Sequence, residues 1–176
     1  MLEKQRLLCD TDLQPLRFFF ESAYTPPSDW RIGLEYELSG LHMTDLSSIR
    51  FMGENSIETV FSQLRKKYGE SAGIWDDGYC FGLRLPYAHI SLEPGGQIEL
   101  STFPRISVIE IEEMIRHFFN DLKEVGEKLG LGFFTAGIDP FHPLKERPWS
   151  HKHRYKVMRE YLIKRGKLAH HMMQQT

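Results

Sequence analysis

Cysteine is scarce in this chain. Cys9 and Cys80 stand far apart, in no CxxC or Cys/His spacing, so neither a disulfide framework nor a structural zinc site is indicated and a reducing, cytoplasmic setting is expected. Charge of one sign is also missing: 22 Lys and Arg against 24 Asp and Glu leave a net charge of -2. That gives no basic field of the kind non-specific nucleic-acid binding uses, and nucleic acid is not expected as a partner. No apolar run approaches the roughly 20 residues of a transmembrane helix. Residues 1–10 mix Glu3, Lys4, Arg6 and Asp10 with a few leucines, without the apolar core and cleavage site of a secretory signal, so no membrane partner is expected either. A GxxxxGK run followed by Ser or Thr and a GxGxxG are both absent, which removes a P-loop and a dinucleotide site. What is present, 176 residues with 41% apolar and 26% charged, suffices for one globular domain with a real core.

The periodicity places the elements. Leu13, Leu16, Phe19, Phe20 and Ala23 predict a helix over 11–23, with Pro15 in its first turn and Pro26-Pro27 closing it. The triple Phe18, Phe19, Phe20 and the pair Phe118, Phe119 read as core and helix-interface residues. Strict alternation from Trp30 to Leu38 predicts a strand whose Glu35 and Glu37 share the face away from the core. A helix over 56–68 follows, with Asn55 and Glu58 as a capping box, then a Gly- and Asp-rich link over 69–78. Strands are predicted over 79–85, 88–93 and 97–101, the last two joined by Pro94-Gly95-Gly96 as a tight hairpin with Pro and Gly central in a type II turn. A long helix over 108–129 ends at Gly130, and a strand over 133–138, a proline-marked irregular loop and two helices over 155–164 and 167–175 complete the chain.

If the hairpin turns over three residues, Glu93 faces Gln97 and Ser91 faces Glu99, while Leu92 meets Ile98 and Ile90 meets Leu100 on the other side. One face is then apolar and the other presents Ser91, Glu93, Gln97, Glu99 and Ser101. An alternating strand with glutamates outward is also the ordinary design of any half-solvated sheet. Carboxylates gathered in a partly buried place repel unless a cation compensates them, and Mg²⁺ is a natural compensator because it prefers oxygen ligands shared with phosphates. His142, His151, His153, His170 and His171 lie in the loop and at the last helix, away from the glutamate face, and read as structural rather than metal-binding.

Resemblance to a known family enters at these residues. The run from Arg31 to Glu37 resembles the IGxExE strand, and the run from Ile90 to Ser101 the SLEPGGQxELS hairpin, of plant and proteobacterial glutamate-cysteine ligases. Arg154, Tyr155, Met158, Arg159 and Tyr161 resemble the family's RYxxMRxY segment, and Met172, Met173 and Thr176 its MMxxT. Tyr36 stands where plant members carry His, and residues 141–152 differ from the loop usual there.

The resemblance implies an α+β, glutamine-synthetase-like fold: a mainly antiparallel curved sheet with flanking helices, here incomplete, with 1–176 as the N-terminal part of the catalytic domain. It implies Mg²⁺ held by Glu35, Glu37, Glu93 and Glu99. Arg154 would act as the catalytic, substrate-grasping guanidinium, and Tyr155 would bind substrate with it. The implied reaction joins the glutamate γ-carboxylate to the cysteine amine through a γ-glutamyl phosphate, with ATP as co-substrate, so that glutamate, cysteine and ATP are the partners. Alternatives are a non-catalytic truncated metal- or nucleotide-binding module and a related carboxylate-amine ligase using another amine. An open sheet edge is expected to allow self-association.

Overall fold

A computed structural model describes residues 10–175, which divide between Arg31 and Ile32 into two compact units. Cys9 and Thr176 lie outside the described residues. In the first unit α1 (Asp10–Ser22) is followed by a 3-10 turn at Pro27–Asp29. Pro15 lies in the second turn of α1, not the first, because the helix begins at Asp10. Phe18, Phe19 and Phe20 are exposed, which corrects the expectation that they are buried in a core.

The second unit is a six-stranded antiparallel sheet with helices, an α+β arrangement as expected. Its strands are β1 (Glu35–His42), β2 (Gly73–Asp76), β3 (Tyr79–Arg84), β4 (Ala88–Leu92), β5 (Ile98–Thr102) and β6 (Leu131–Phe134), in the order β2-β3-β4-β5-β1-β6. Leu38, Leu83, Ile90, Leu92, Ile98 and Leu100 point to one side and join Val60, Phe61, Leu64, Phe118 and Leu122 in a continuous core. Those last five come from α2 (Ile57–Tyr68) and α3 (Val108–Leu129). Burying a side chain of this size is worth about 1.5–3 kcal/mol, so this interface carries most of the unit's stabilisation.

Several boundaries differ from the periodicity. β1 begins at Glu35, five residues later than the alternation, and runs on through Gly40 to His42, past the Leu38 at which the alternation stops. The reason is its partner: β5 ends at Thr102, and Phe103-Pro104 cannot prolong a regular ladder, so Ile32 keeps only an isolated bridge to Arg105. Side-chain parity is unaffected. The cap of α2 is Ser56, whose hydroxyl accepts from Thr59 N–H, because Asn55 occupies a left-handed conformation at φ 48°. The link over 69–78 contains an unforeseen edge strand, β2, short and interrupted by a bulge at Ile74/Trp75. β6 starts two residues early, since Gly130 ends α3 in the αL conformation and the chain enters the sheet at once.

The loop read as irregular is a buried polar clasp. Asp139 Oδ2 accepts from Arg147 Nη1 at 2.6 Å and from His142 Nδ1 at 2.9 Å, and His142 Nε2 donates to Leu46 O at 2.7 Å. Burial alone would raise the Asp139 carboxyl, but hydrogen bonds from Phe141 N–H and His142, with the Arg147 charge, hold it below the usual carboxylate range. Arg147 Nε also donates to Gln174 O at 2.9 Å, and Gln174 Nε2 returns to Arg147 O and Pro148 O. These bonds fasten the loop to α5 (Ala169–Gln175) and, through Ser150 N–H to Pro94 O at 2.7 Å, to the β4–β5 turn. α4 (His153–Leu162) starts three residues beyond Ser150 and is thereby held over that turn.

Candidate active site

The β4–β5 hairpin has the expected pairing: Ser91 opposes Glu99, Ile90 opposes Leu100, Leu92 opposes Ile98, and Glu93 N–H donates to Gln97 O at 2.9 Å. Its turn differs from type II. The left-handed residue is Gly96, at φ 85°, one position later than Pro94-Gly95 in a type II turn would need. Gly95 answers a different demand: a Cβ there would stand 2.6 Å from the Gln174 Cα, so the absence of a side chain lets α5 close against the turn.

Register then sets the polar face. Gly82, Ser91, Glu99 and Glu37 form one cross-strand row over β3, β4, β5 and β1; Arg84, His89, Ser101 and Glu35 form the next. Glu37 and Glu99 are direct neighbours, which places their Cβ atoms about 4.5–5.5 Å apart by sheet geometry. Ser91 Oγ and Ser101 Oγ both donate to Glu99 Oε1, at 3.2 and 2.7 Å, and fix its direction. Partial burial, then Glu99 and Glu37, push the Glu93 carboxyl above its ordinary value, while Lys152 and Arg154 pull it back. The Glu37 carboxyl is raised likewise by partial burial, then by Glu99 and Glu35. Glu37 and Glu93 thus share Glu99 as a like-charged neighbour. Glu35 lies one row away and reaches the group only through Glu37. Among the described residues no three His, Cys, Asp or Glu side chains converge closely enough to form a ready-made metal cage. The donor set nevertheless suits a hard cation, since it consists of carboxylate oxygens whose mutual repulsion a divalent charge would relieve.

Above this face sit the residues at the start of α4. The Tyr155 hydroxyl lies 3.2 Å from Leu92 O and 3.5 Å from Glu93 Oε1, and burial followed by Glu93 raises its pKa. Arg154 Cζ and Lys152 Nζ lie 5.2 and 5.3 Å from the Tyr155 ring centroid, within cation-π range. The expected Arg154 and Tyr155 therefore do stand beside the carboxylates. Lys152 was missed. Burial lowers its pKa while Glu93 opposes that, which makes it a second cation poised at the site. Its signal was the basic cluster Lys152, Arg154 and Lys156 around a buried tyrosine, legible only once Tyr155 is known to point inward. Of the histidines, His142 belongs to the clasp and His151 packs edge-on against Phe51.

The family's sequence profile, described as glutamate-cysteine ligase family 2 (GCS2), matches residues 31–176. The chain belongs to that family. Glutamate-cysteine ligase B, chloroplastic, of Oryza sativa subsp. japonica is 32% identical over 163 residues, covering 93% of this chain and 32% of that protein. Glutamate-cysteine ligase, chloroplastic, of Medicago truncatula is 31% identical over 163 residues, 93% of this chain and 31% of its own length. The Nicotiana tabacum protein of the same name is 32% identical over 147 residues, 84% and 27% respectively. This member of glutamate-cysteine ligase family 2 thus spans about a third of the length of the curated relatives it matches. No helix among the described residues is long and apolar enough to cross a membrane.

Proposed function

We propose that this chain carries the metal- and substrate-binding floor of an ATP-dependent glutamate-cysteine ligase. The observation that carries the reading is the carboxylate group of Glu37 on β1, Glu99 on β5 and Glu93 just past the end of β4, faced by Arg154 and Lys152 around Tyr155. Glu37, Glu93 and Glu99, with Glu35 in the next row, are the residues that would hold Mg²⁺. Bound there, Mg²⁺ would neutralise phosphate charge during transfer of the ATP γ-phosphoryl group. Arg154 offers a planar fork that grips a substrate carboxylate in two places. Lys152 adds a compact cation beside it.

In this reading the glutamate γ-carboxylate oxygen takes the phosphoryl group from ATP and ADP leaves. The cysteine amine then attacks the acyl carbon, phosphate departs, and the nitrogen loses a proton. Tyr155, hydrogen-bonded to the β4 backbone and Glu93, keeps Arg154 and the hairpin in one arrangement. Because the chain spans about a third of its relatives, and the outer edge of β6 is unpaired among the described residues, we propose that it turns over weakly or not at all by itself. A cytoplasmic location is likewise a proposal; the relatives' names place those proteins in chloroplasts.

Calorimetric titration of Mg²⁺-ATP, paired with mass-spectrometric assay of γ-glutamylcysteine, tests this. Binding of Mg²⁺-ATP that is lost in Glu93→Gln is expected, and binding indifferent to that change would contradict the site. Efficient γ-glutamylcysteine formation by the 176-residue chain would contradict the claim of weak turnover.

A further inference from the structure

A cavity of about 500 Å³ opens between the β2–β3 turn and the first turns of α4, beside the carboxylate face and sharing Tyr155 with it. Among its lining residues are Trp149, Ser150, Lys156 and Arg159, with Asp77 as the acidic member. Ser150 is 6% exposed and its hydroxyl has no hydrogen-bond partner among the described residues, which is a cost that a bound acceptor would remove. Its backbone is not free to turn away, because Ser150 N–H is bonded to Pro94 O at 2.7 Å.

Two cations line the cavity. The amino end of α4 adds nothing to them, since His153 N–H already donates to Asp76 Oδ2 at 3.2 Å. Lys156 and Arg159 are ion-paired to none of the described residues. Arg159 is instead steadied by the Trp149 ring, 5.0 Å from its guanidinium carbon, which leaves the fork available to a planar anion.

We infer that this cavity is an oxyanion subsite, taking a carboxylate or a phosphate through the Ser150 hydroxyl, Lys156 and Arg159. The inference rests on the ligase reading only for the identity of the ligands, an amino acid or a nucleotide that extends from the neighbouring carboxylate face. The oxyanion chemistry itself stands on the cavity. It is separate from the carboxylates: the subsite binds anions without a metal, whereas the glutamates need one.

The test is calorimetry of the 176-residue chain in EDTA, with ADP, L-glutamate and L-cysteine as probes and with adenosine and cysteamine as partners lacking the phosphate or the carboxylate. Binding of ADP without adenosine assigns a phosphate. Binding of L-cysteine without cysteamine, or of L-glutamate, assigns a carboxylate. In each case Ser150→Ala and Lys156→Gln should weaken binding about tenfold, and Glu93→Gln should leave it within about twofold, on the scale of one charge-assisted hydrogen bond. Ser150→Ala should melt no lower than the parent, since it removes an unpartnered buried hydroxyl; Lys156→Gln, at an exposed position, serves should it fold poorly. The inference is overturned if none of the three anions binds in EDTA, if adenosine and cysteamine bind as well as the anions, or if both variants bind like the parent. Anion binding in EDTA together with Mg²⁺ indifference would sink the metal reading and leave the subsite standing.

Discussion

Replacing Glu93 by Gln should stabilise the metal-free protein and remove its response to Mg²⁺. Glu93 is half-buried and has two like-charged neighbours, Glu99 and Glu37, with Lys152 and Arg154 in partial compensation. A like-charge neighbour on a sheet costs about 0.2–1 kcal/mol. With two such neighbours, discounted for the opposing cations and for solvent screening, the net gain on neutralisation is about 0.5 kcal/mol. In a chain of this size that raises Tm by about 1–2 °C at neutral pH. Mg²⁺ at ten times its Kd should stabilise the parent by about 1.4 kcal/mol, or about 3–6 °C, and the variant by much less. Differential scanning fluorimetry with and without Mg²⁺ reads both effects. A variant that melts lower than the parent without metal, or that gains as much from Mg²⁺, would refute the reasoning.

The same stabilisation should depend on pH with a definite sign. The folded Glu93 pKa lies above its ordinary 4.5, so the folded state holds that proton more tightly; stability from this group is full below 4.5 and is lost as pH rises through the folded value. The Tm difference between Glu93→Gln and the parent should therefore vanish in acid and grow towards neutrality, and a difference flat with pH would contradict the coupling. Gly95→Ala should cost about 1–3 kcal/mol, as overpacking against the Gln174 backbone does elsewhere, and lower Tm accordingly. Asp139→Ala strands the buried Arg147 and should cost about 3–5 kcal/mol in chemical denaturation, whereas Glu112→Ala, an exposed partner of Arg116, should cost under about 1 kcal/mol. Sedimentation velocity should show self-association through the edge of β6 that is unpaired among the described residues, reduced by Phe134→Lys; a monomer at all concentrations would contradict it.

The sequence was informative where periodicity and local chemistry agree. Strand parity put Glu35 with Glu37 and Ser91 with Glu99 because a period of two leaves no other choice once the core side is apolar. α3 was legible to the residue, since an apolar stripe and a C-terminal glycine coincide. The start of β1 was not, because it depends on where its partner β5 ends, which is not local information. The clasp of Asp139, His142, Arg147 and Gln174 was hidden for the same reason: its members span the loop and the last helix, and each alone resembles an exposed polar residue. Lys152 escaped because nothing in the pattern says that Tyr155 points inward and draws its basic neighbours over the glutamates. Gly95 and Gly96 looked like one turn signal and proved to meet two demands, a close backbone approach and a left-handed conformation.

We propose that Glu37, Glu93 and Glu99 together hold a divalent cation. Electron paramagnetic resonance titration with Mn²⁺ as the Mg²⁺ surrogate measures this directly. Saturable loss of the free Mn²⁺ signal in the parent, abolished when all three glutamates are changed to Gln and competed away by Mg²⁺, is the predicted result; undiminished Mn²⁺ binding by the triple variant would contradict the account.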